Sequence, residues 1–120
     1  MKISQYIPEL IVDDIDRVTA CYQSMGFTVN HIQNENMQET VVLADPSGEH
    51  LVLHQVKEWP VQVNTLIARI NVTDLAAACD EIISDGGRLL TDVYENAYCR
   101  GVLAEMNGGL RAHVLQHLKK

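Results

Sequence analysis

Aromatic side chains are scarce in this sequence: one Phe, one Trp and four Tyr among 120 residues. That composition argues against a pocket that holds its ligand mainly by ring stacking. An excess of basic charge is missing too. Nine Lys and Arg face sixteen Asp and Glu, for a net charge of −7. Neither nucleic acid nor an anionic membrane surface is therefore an expected partner, since both require a basic face. The three cysteines, Cys21, Cys79 and Cys99, are odd in number and widely spaced, which excludes a disulfide framework. There is no CxxC pair or Cys-His cluster of the kind that holds a structural zinc. Cys21 and Cys79 fall within helical patterns and read as small buried hydrophobes. No apolar run approaches the roughly 20 residues needed to cross a bilayer. The first ten residues, MKISQYIPEL, lack a long apolar run and a small-residue cleavage site, so no secretion signal is expected and the cytoplasm is the default location. A GxSxG elbow, a P-loop and a GxGxxG turn after a strand are likewise absent.

What the chain does contain is a repeat. Residues 45–55 (DPSGEHLVLHQ) lead from a tight polar turn into an alternating strand, and residues 106–116 (MNGGLRAHVLQ) do so again. At an offset of 61, Gly48 matches Gly109, His50 matches Arg111, Leu53 matches Val114 and Gln55 matches Gln116. At an offset of 60, IVDDID (11–16) matches NVTDLA (71–76), and Ser24-Met25-Gly26 matches Ser84-Asp85-Gly86. One module of about 60 residues is used twice. A chain of 120 residues, 47% of them hydrophobic, has the size and composition of one globular domain. The expected organisation is module one over 1–56, a linker over 57–64 and module two over 65–120.

Taken in order, residues 4–12 alternate as a strand, with Ile7, Glu9 and Ile11 on one face and Tyr6, Pro8, Leu10 and Val12 on the other. Pro8 cannot donate to a ladder, which suits an edge or a bulge. Asp13-Asp14 supplies a helix cap, and Ile15, Val18, Tyr22 and Met25 form the apolar stripe of the helix that follows. Gly26 closes it in a left-handed conformation. Strands follow at 27–33, 39–44 and 50–56, with polar turns at 34–36 and 45–48. Past the linker, the pattern returns: a strand at 66–72, a cap at Thr73-Asp74, and a helix at 75–85 with the stripe Leu75, Ala78, Cys79 and Ile82. Gly86-Gly87 ends that helix. A strand at 88–92, an irregular polar loop at 94–98, and strands at 100–106 and 111–117 complete the second β-α-β-β-β module.

A strand ending in V-x-D-[IL], a short helix closing near Gly and a later D-P-x-G-x-x-x-x-L strand resemble the vicinal oxygen chelate superfamily, which includes glyoxalase I, extradiol dioxygenases and bleomycin-resistance proteins. The resemblance covers nearly the whole chain, twice over. It implies an α+β fold of two tandem β-α-β-β-β modules, whose curved mixed sheets enclose a cup-shaped pocket, commonly within a homodimer. The linker permits the modules to pair within one chain or by exchange between two. The resemblance also implies four metal-ligand positions, which fall on Ile7, Val52, Ile67 and His113. Three of the four are aliphatic and cannot bind a metal. The expected metal and cofactor are therefore none.

Strand phase assigns to the cup Ile7, Glu9 and Ile11; His50, Val52 and His54; Ile67, Arg69 and Asn71; and Arg111, His113 and Leu115. The ligand-binding candidates are Ile7, Glu9, His50, Val52, His54, Ile67, Arg69, Arg111 and His113. His50 and His54 share a face but stand about 13 Å apart along a strand, too far to chelate one ion. Glu9 with Arg69 or Arg111 reads either as an ion pair holding sheets together or as a ligand-binding group. A relocated metal site drawing on His113, Glu9 and His50 or His54 is the alternative. Trp59 either packs or covers a ligand or a neighbouring subunit. His31 and His117 look peripheral, and Ser24 and Ser84 sit where serine is conformational. A nucleophilic Cys99 would need a base, for which His113 is the candidate. Two functions follow. The first is a metal-independent protein of the glyoxalase/bleomycin-resistance type that sequesters a small molecule, although the shortage of aromatics counts against bleomycin itself. The second is a lyase, isomerase or dioxygenase with a displaced metal site or acid–base catalysis by Glu9 and His113. A cup filled by side chains, making the chain an interaction module, is a third reading.

Overall fold

The computed structural model describes residues 1–35, 38–57 and 59–118. The chain forms two compact units: Ile7–Leu66, and Met1–Tyr6 together with Ile67–Lys120. Strand β1 (Ile3–Ile11) gives its first residues to one unit and its last to the other.

The unit built on Ile7–Leu66 continues from β1 through α1 (Ile15–Ser24), β2 (Thr28–Glu35), β3 (Gln38–Ala44) and β4 (His50–Val56). Its strand order is β2-β3-β4-β1. The β2/β3 and β3/β4 pairs are antiparallel, whereas β1 and β4 run parallel, with Glu9 opposite Val52 and Ile11 opposite His54. Pro8 precedes that parallel ladder. The helix packs on one sheet face, where Val12, Ile15, Val41, Leu43 and Leu53 form the core, with Tyr22 and Phe27 edge to face against it. Helix α1 ends one residue earlier than its apolar periodicity suggests. Met25 is its C-cap and is 57% exposed, so it leaves the stripe. Cys21 is exposed as well, on the solvent side of α1, and is not the buried hydrophobe its helical position suggested. The expected turn at 34–36 is taken up by β2 as far as Glu35; Asn36 lies outside the described residues. The turn at 45–48 forms as expected, with Asp45 Oδ1 accepting from the Ser47 and Glu49 amides and the Ser47 hydroxyl.

The second unit repeats the plan with β5 (Thr65–Val72), α2 (Leu75–Ser84), β6 (Arg88–Leu89), β7 (Tyr94–Glu95), β8 (Cys99–Glu105) and β9 (Arg111–His117). Its order is β5-β9-β8-β6, with β7 also on β8. Strands β5 and β9 are parallel and the others antiparallel. The predicted stripe Leu75, Ala78, Cys79 and Ile82 is buried against Ile70, Val72, Val102 and Val114. The predicted strand at 88–92 shrinks to Arg88–Leu89, because Thr91 turns its hydroxyl to the Leu103 amide instead of extending the ladder. The polar loop at 94–98 contains a short strand of its own, pairing Tyr94 with Gly101 and Glu95 with Arg100. The start of β1 fastens to this unit through Ser4 Oγ donating to Asn71 O (3.2 Å) and Asn71 Nδ2 donating to Gln5 Oε1 (2.8 Å).

The two helices begin and end alike, and their ends explain the sequence repeat. Asp14 and Asp74 accept from the third helical amides, those of Arg17 and Ala77. Gln55 and Gln116 accept from the first helical amides, those of Ile15 and Leu75, each at 2.8 Å. Gly26 and Gly86 then close the helices at φ +104° and +93°, a conformation that disfavours any side chain.

Candidate functional site

In each unit the helix covers one sheet face, and strand alternation sends the buried polar side chains to the other. On the first unit these are Glu9, Thr40 and His54, with relative exposures of 0%, 7% and 1%. On the second they are Arg69, Asn71 and His113, at 7%, 4% and 1%. Apolar side chains share these faces, including Ile11, Val52, Ile67, Leu103 and Leu115, all buried.

Glu9 and His54 stand on neighbouring strands, two residues out of register along the β1/β4 ladder. A carboxylate oxygen of Glu9 and a ring nitrogen of His54 lie within 4.8 Å of each other. Thr40 Oγ1 lies 3.0 Å from His54 Nδ1, and Trp59 lays its ring beside the imidazole at 4.9 Å between centroids. The His54 ring is thus fixed in plane by Thr40 and on its face by Trp59. Trp59 has a packing role here, one of the two readings its linker position allowed. Thr40 was not singled out from the sequence, although it stands directly opposite His54 in the β3/β4 ladder.

Arg69 and His113 are register partners on β5 and β9. Tyr94 Oη hydrogen-bonds to His113 Nε2, with the ring centroids 5.7 Å apart. The same phenol oxygen lies 3.9 Å from Cys99 Sγ. The sequence pattern alone places Tyr94 in an irregular polar loop. Its signal in the sequence was Gly101, a glycine inside a strand, where a close approach is the usual reason for the missing side chain. A Cβ at Gly101 would come 2.5 Å from Tyr94 Oη.

Ile7 is half-buried, and Val52 and Ile67 are buried at 0% and 6% exposure. His50 is half-buried and 3.3 Å from Asn30 Nδ2. Arg111 is exposed and pairs with Glu105 at 3.6 Å. Arg88, and secondarily Arg111, hold the Glu105 carboxyl below its usual range. His31 and His117 are exposed.

The metal arrangement implied by the family resemblance does not fit this chain. Positions 7, 52 and 67 carry aliphatic side chains, which have no lone pair to donate. Glu9 and His54 keep the same diagonal relation on β1 and β4 as positions 7 and 52, displaced by one side-chain repeat, about 7 Å along the strands.

No family model matches the sequence, and no curated protein matches it. Solved structures do match. An uncharacterized protein from Methanosarcina mazei aligns over 100% of this chain and 97% of its own at 17% identity and TM-score 0.63. A glyoxalase/bleomycin resistance protein/dioxygenase superfamily member from Vibrio splendidus 12B01 aligns over 96% and 99% at 15% identity and TM-score 0.60. A methylmalonyl-CoA epimerase aligns over 99% and 97% at 15% identity and TM-score 0.65. At these identities the likeness concerns architecture: the chain has the α+β fold of the glyoxalase/bleomycin resistance/dioxygenase type, the vicinal oxygen chelate fold.

Proposed function

We propose that the protein binds a small, oxygen-bearing molecule independently of a metal ion, with Glu9 and His54 as its polar anchors. The observation that carries this reading is the aliphatic triplet Ile7, Val52 and Ile67, at positions to which the resemblance assigns metal donors. Glu9 offers acceptor oxygens. His54, held by Thr40, presents a ring nitrogen that donates or accepts according to tautomer. Buried polar groups of this kind, spaced among apolar neighbours, fix the orientation of a small ligand and give it specificity. Ile7, His50 and Val52 belong to this proposal as ligand-lining residues of the unit that carries the anchors, and Ile67, Arg69, Arg111 and His113 as those of the second unit taken by itself; a homodimer is the proposed assembly.

The separation of no more than 4.8 Å between the Glu9 and His54 donor atoms favours a second reading, in which the pair ligates a divalent cation. Carboxylate oxygen and imidazole nitrogen suit zinc, manganese, iron or nickel, and the ion would polarise an oxygen of the bound molecule. With Nδ1 engaged by Thr40, His54 would ligate through Nε2.

One experiment separates the two. Protein purified without chelator is assayed for metal, directly and after incubation with zinc, nickel, manganese and iron, and is then screened by thermal shift against hydroxy- and oxo-carboxylates. The metal-free reading expects substoichiometric metal, and a ligand-induced stabilisation abolished by Glu9→Gln and by His54→Ala. One tightly held ion per chain, lost in His54→Ala, establishes the second reading instead.

A further inference from the structure

Three side chains with acid–base or nucleophilic chemistry converge in the second unit, one of them, His113, also a proposed ligand-lining residue. Cys99, at the start of β8, is 6% exposed, and His113, on the neighbouring β9, is 1% exposed. Tyr94 joins them: its phenol oxygen bonds to His113 Nε2 and stands 3.9 Å from Cys99 Sγ. The order is thiol, phenol, imidazole, which is the order of a proton relay. A hydroxyl is both donor and acceptor, so Tyr94 can take a proton from sulfur as it passes its own to the ring nitrogen.

The backbone is arranged to keep the phenol in this place. Tyr94 lies across from Gly101 in the β7/β8 pairing, and a Cβ there would fall 2.5 Å from Oη and 2.6 Å from Cζ. Any larger residue would push the ring off the strand and break the chain of bonds. The Glu95–Arg100 ion pair at 3.2 Å closes the same two-residue ladder. Asn96 Oδ1 accepts from the Cys99 amide at 2.9 Å, which sets the backbone from which the thiol projects.

We propose that Cys99 is a nucleophilic thiol, activated by His113 through Tyr94, that adds to small α,β-unsaturated carbonyl compounds. The thiol proton moves to the phenol oxygen and the phenol proton to His113 Nε2, leaving a thiolate and an imidazolium. The thiolate electron pair forms the C–S bond at the β-carbon while the C=C electrons move to the α-carbon. The imidazolium proton returns by way of Tyr94 to that carbon, so the adduct is neutral and no other reactant is consumed. Tyr94 and Gly101 are positioning residues; Cys99 is the nucleophile and His113 its base.

N-ethylmaleimide is the probe, with the rate of adduct formation at each cysteine followed by peptide mass mapping across a pH series. Native protein is expected to form the Cys99 adduct, and its rate to level off at lower pH than that of exposed Cys21. Tyr94→Phe, Gly101→Ala and His113→Gln should each slow the Cys99 reaction at least tenfold and leave the Cys21 rate unchanged. The Cys21 rate and the circular dichroism spectrum show that each variant is folded, and Tyr94→Phe, which removes one oxygen, is the variant least able to disturb packing. A Cys99 rate unaltered in both Tyr94→Phe and His113→Gln would overturn the proposal. So would a native protein in which Cys99 forms no adduct.

Discussion

Replacing Gln55 and Gln116 by methionine tests the physical basis of the repeat. Each glutamine supplies one acceptor, at 2.8 Å, to the first amide of a helix. That amide has no intrahelical partner, and methionine fills much the same volume without an oxygen. Removing the acceptor leaves a part-buried N–H unsatisfied, a loss of about 1–2 kcal/mol at each site. In a chain of 120 residues this lowers Tm by about 4–8 °C per substitution. The two glutamines cap different helices and share no partner, so the double variant should lose the sum, about 2–4 kcal/mol. Out of a total stability of about 5–15 kcal/mol, that is a large share. Urea denaturation measures it, with the slope unchanged if only stability moves. Glutamate at either position keeps an oxygen acceptor and adds a charge favoured at a helix N-terminus, so Gln55→Glu and Gln116→Glu should fall within about 0.5 kcal/mol of the parent protein. If glutamate costs as much as methionine, or if the methionine double variant is as stable as the parent, the capping argument fails.

Thr40→Val, which removes the hydroxyl 3.0 Å from His54 Nδ1 while keeping the shape, should cost about 1–2 kcal/mol by denaturation and weaken any ligand or ion bound through His54. Gly87→Ala should destabilise by about 1–3 kcal/mol, because the new Cβ would lie 2.6 Å from Glu105 O and 2.8 Å from Ile82 Cγ2; a variant as stable as the parent would refute that crowding. The Asp45 carboxyl has its pKa lowered, chiefly by the Ser47 side chain and then by backbone amides of the turn. A depressed folded-state pKa contributes stability that is full above the ordinary value of 3.8 and is lost as pH falls through the lowered value. Asp45→Asn should therefore reduce the decline of Tm in that acid range, and an unchanged profile would show that the turn carboxylate is uncoupled from folding.

The two-fold repeat of β-α-β-β-β modules is legible in the sequence, and most element boundaries lie within a residue or two of those read from it. The reason is periodicity. The stripe Leu75, Ala78, Cys79 and Ile82 can bury one helix face only, and the alternation Ile7, Glu9, Ile11 can turn inward on one strand phase only. Asp14, Asp74, Gly26 and Gly86 mark helix ends by local chemistry that needs no distant partner. Local pattern was weaker where tertiary bonding competes with it: Thr91 Oγ1 accepts from the Leu103 amide where the periodicity predicts a longer strand, and Met25 leaves the stripe at a C-cap. The match of Gln55 to Gln116 was visible as a repeat, but its cause was not. A glutamine on a strand becomes a helix cap only when the chain folds back, 40 residues from Ile15 and 41 from Leu75. The candidate site divides along the same line. Strand phase alone selected Glu9, His54 and His113 as inward-facing polar groups. That Thr40 orients His54, that Trp59 lies on its ring, and that Tyr94 stands between Cys99 and His113 were decided by the tertiary structure, because hydrogen bonds join atoms by distance and direction, which sequence separation does not encode.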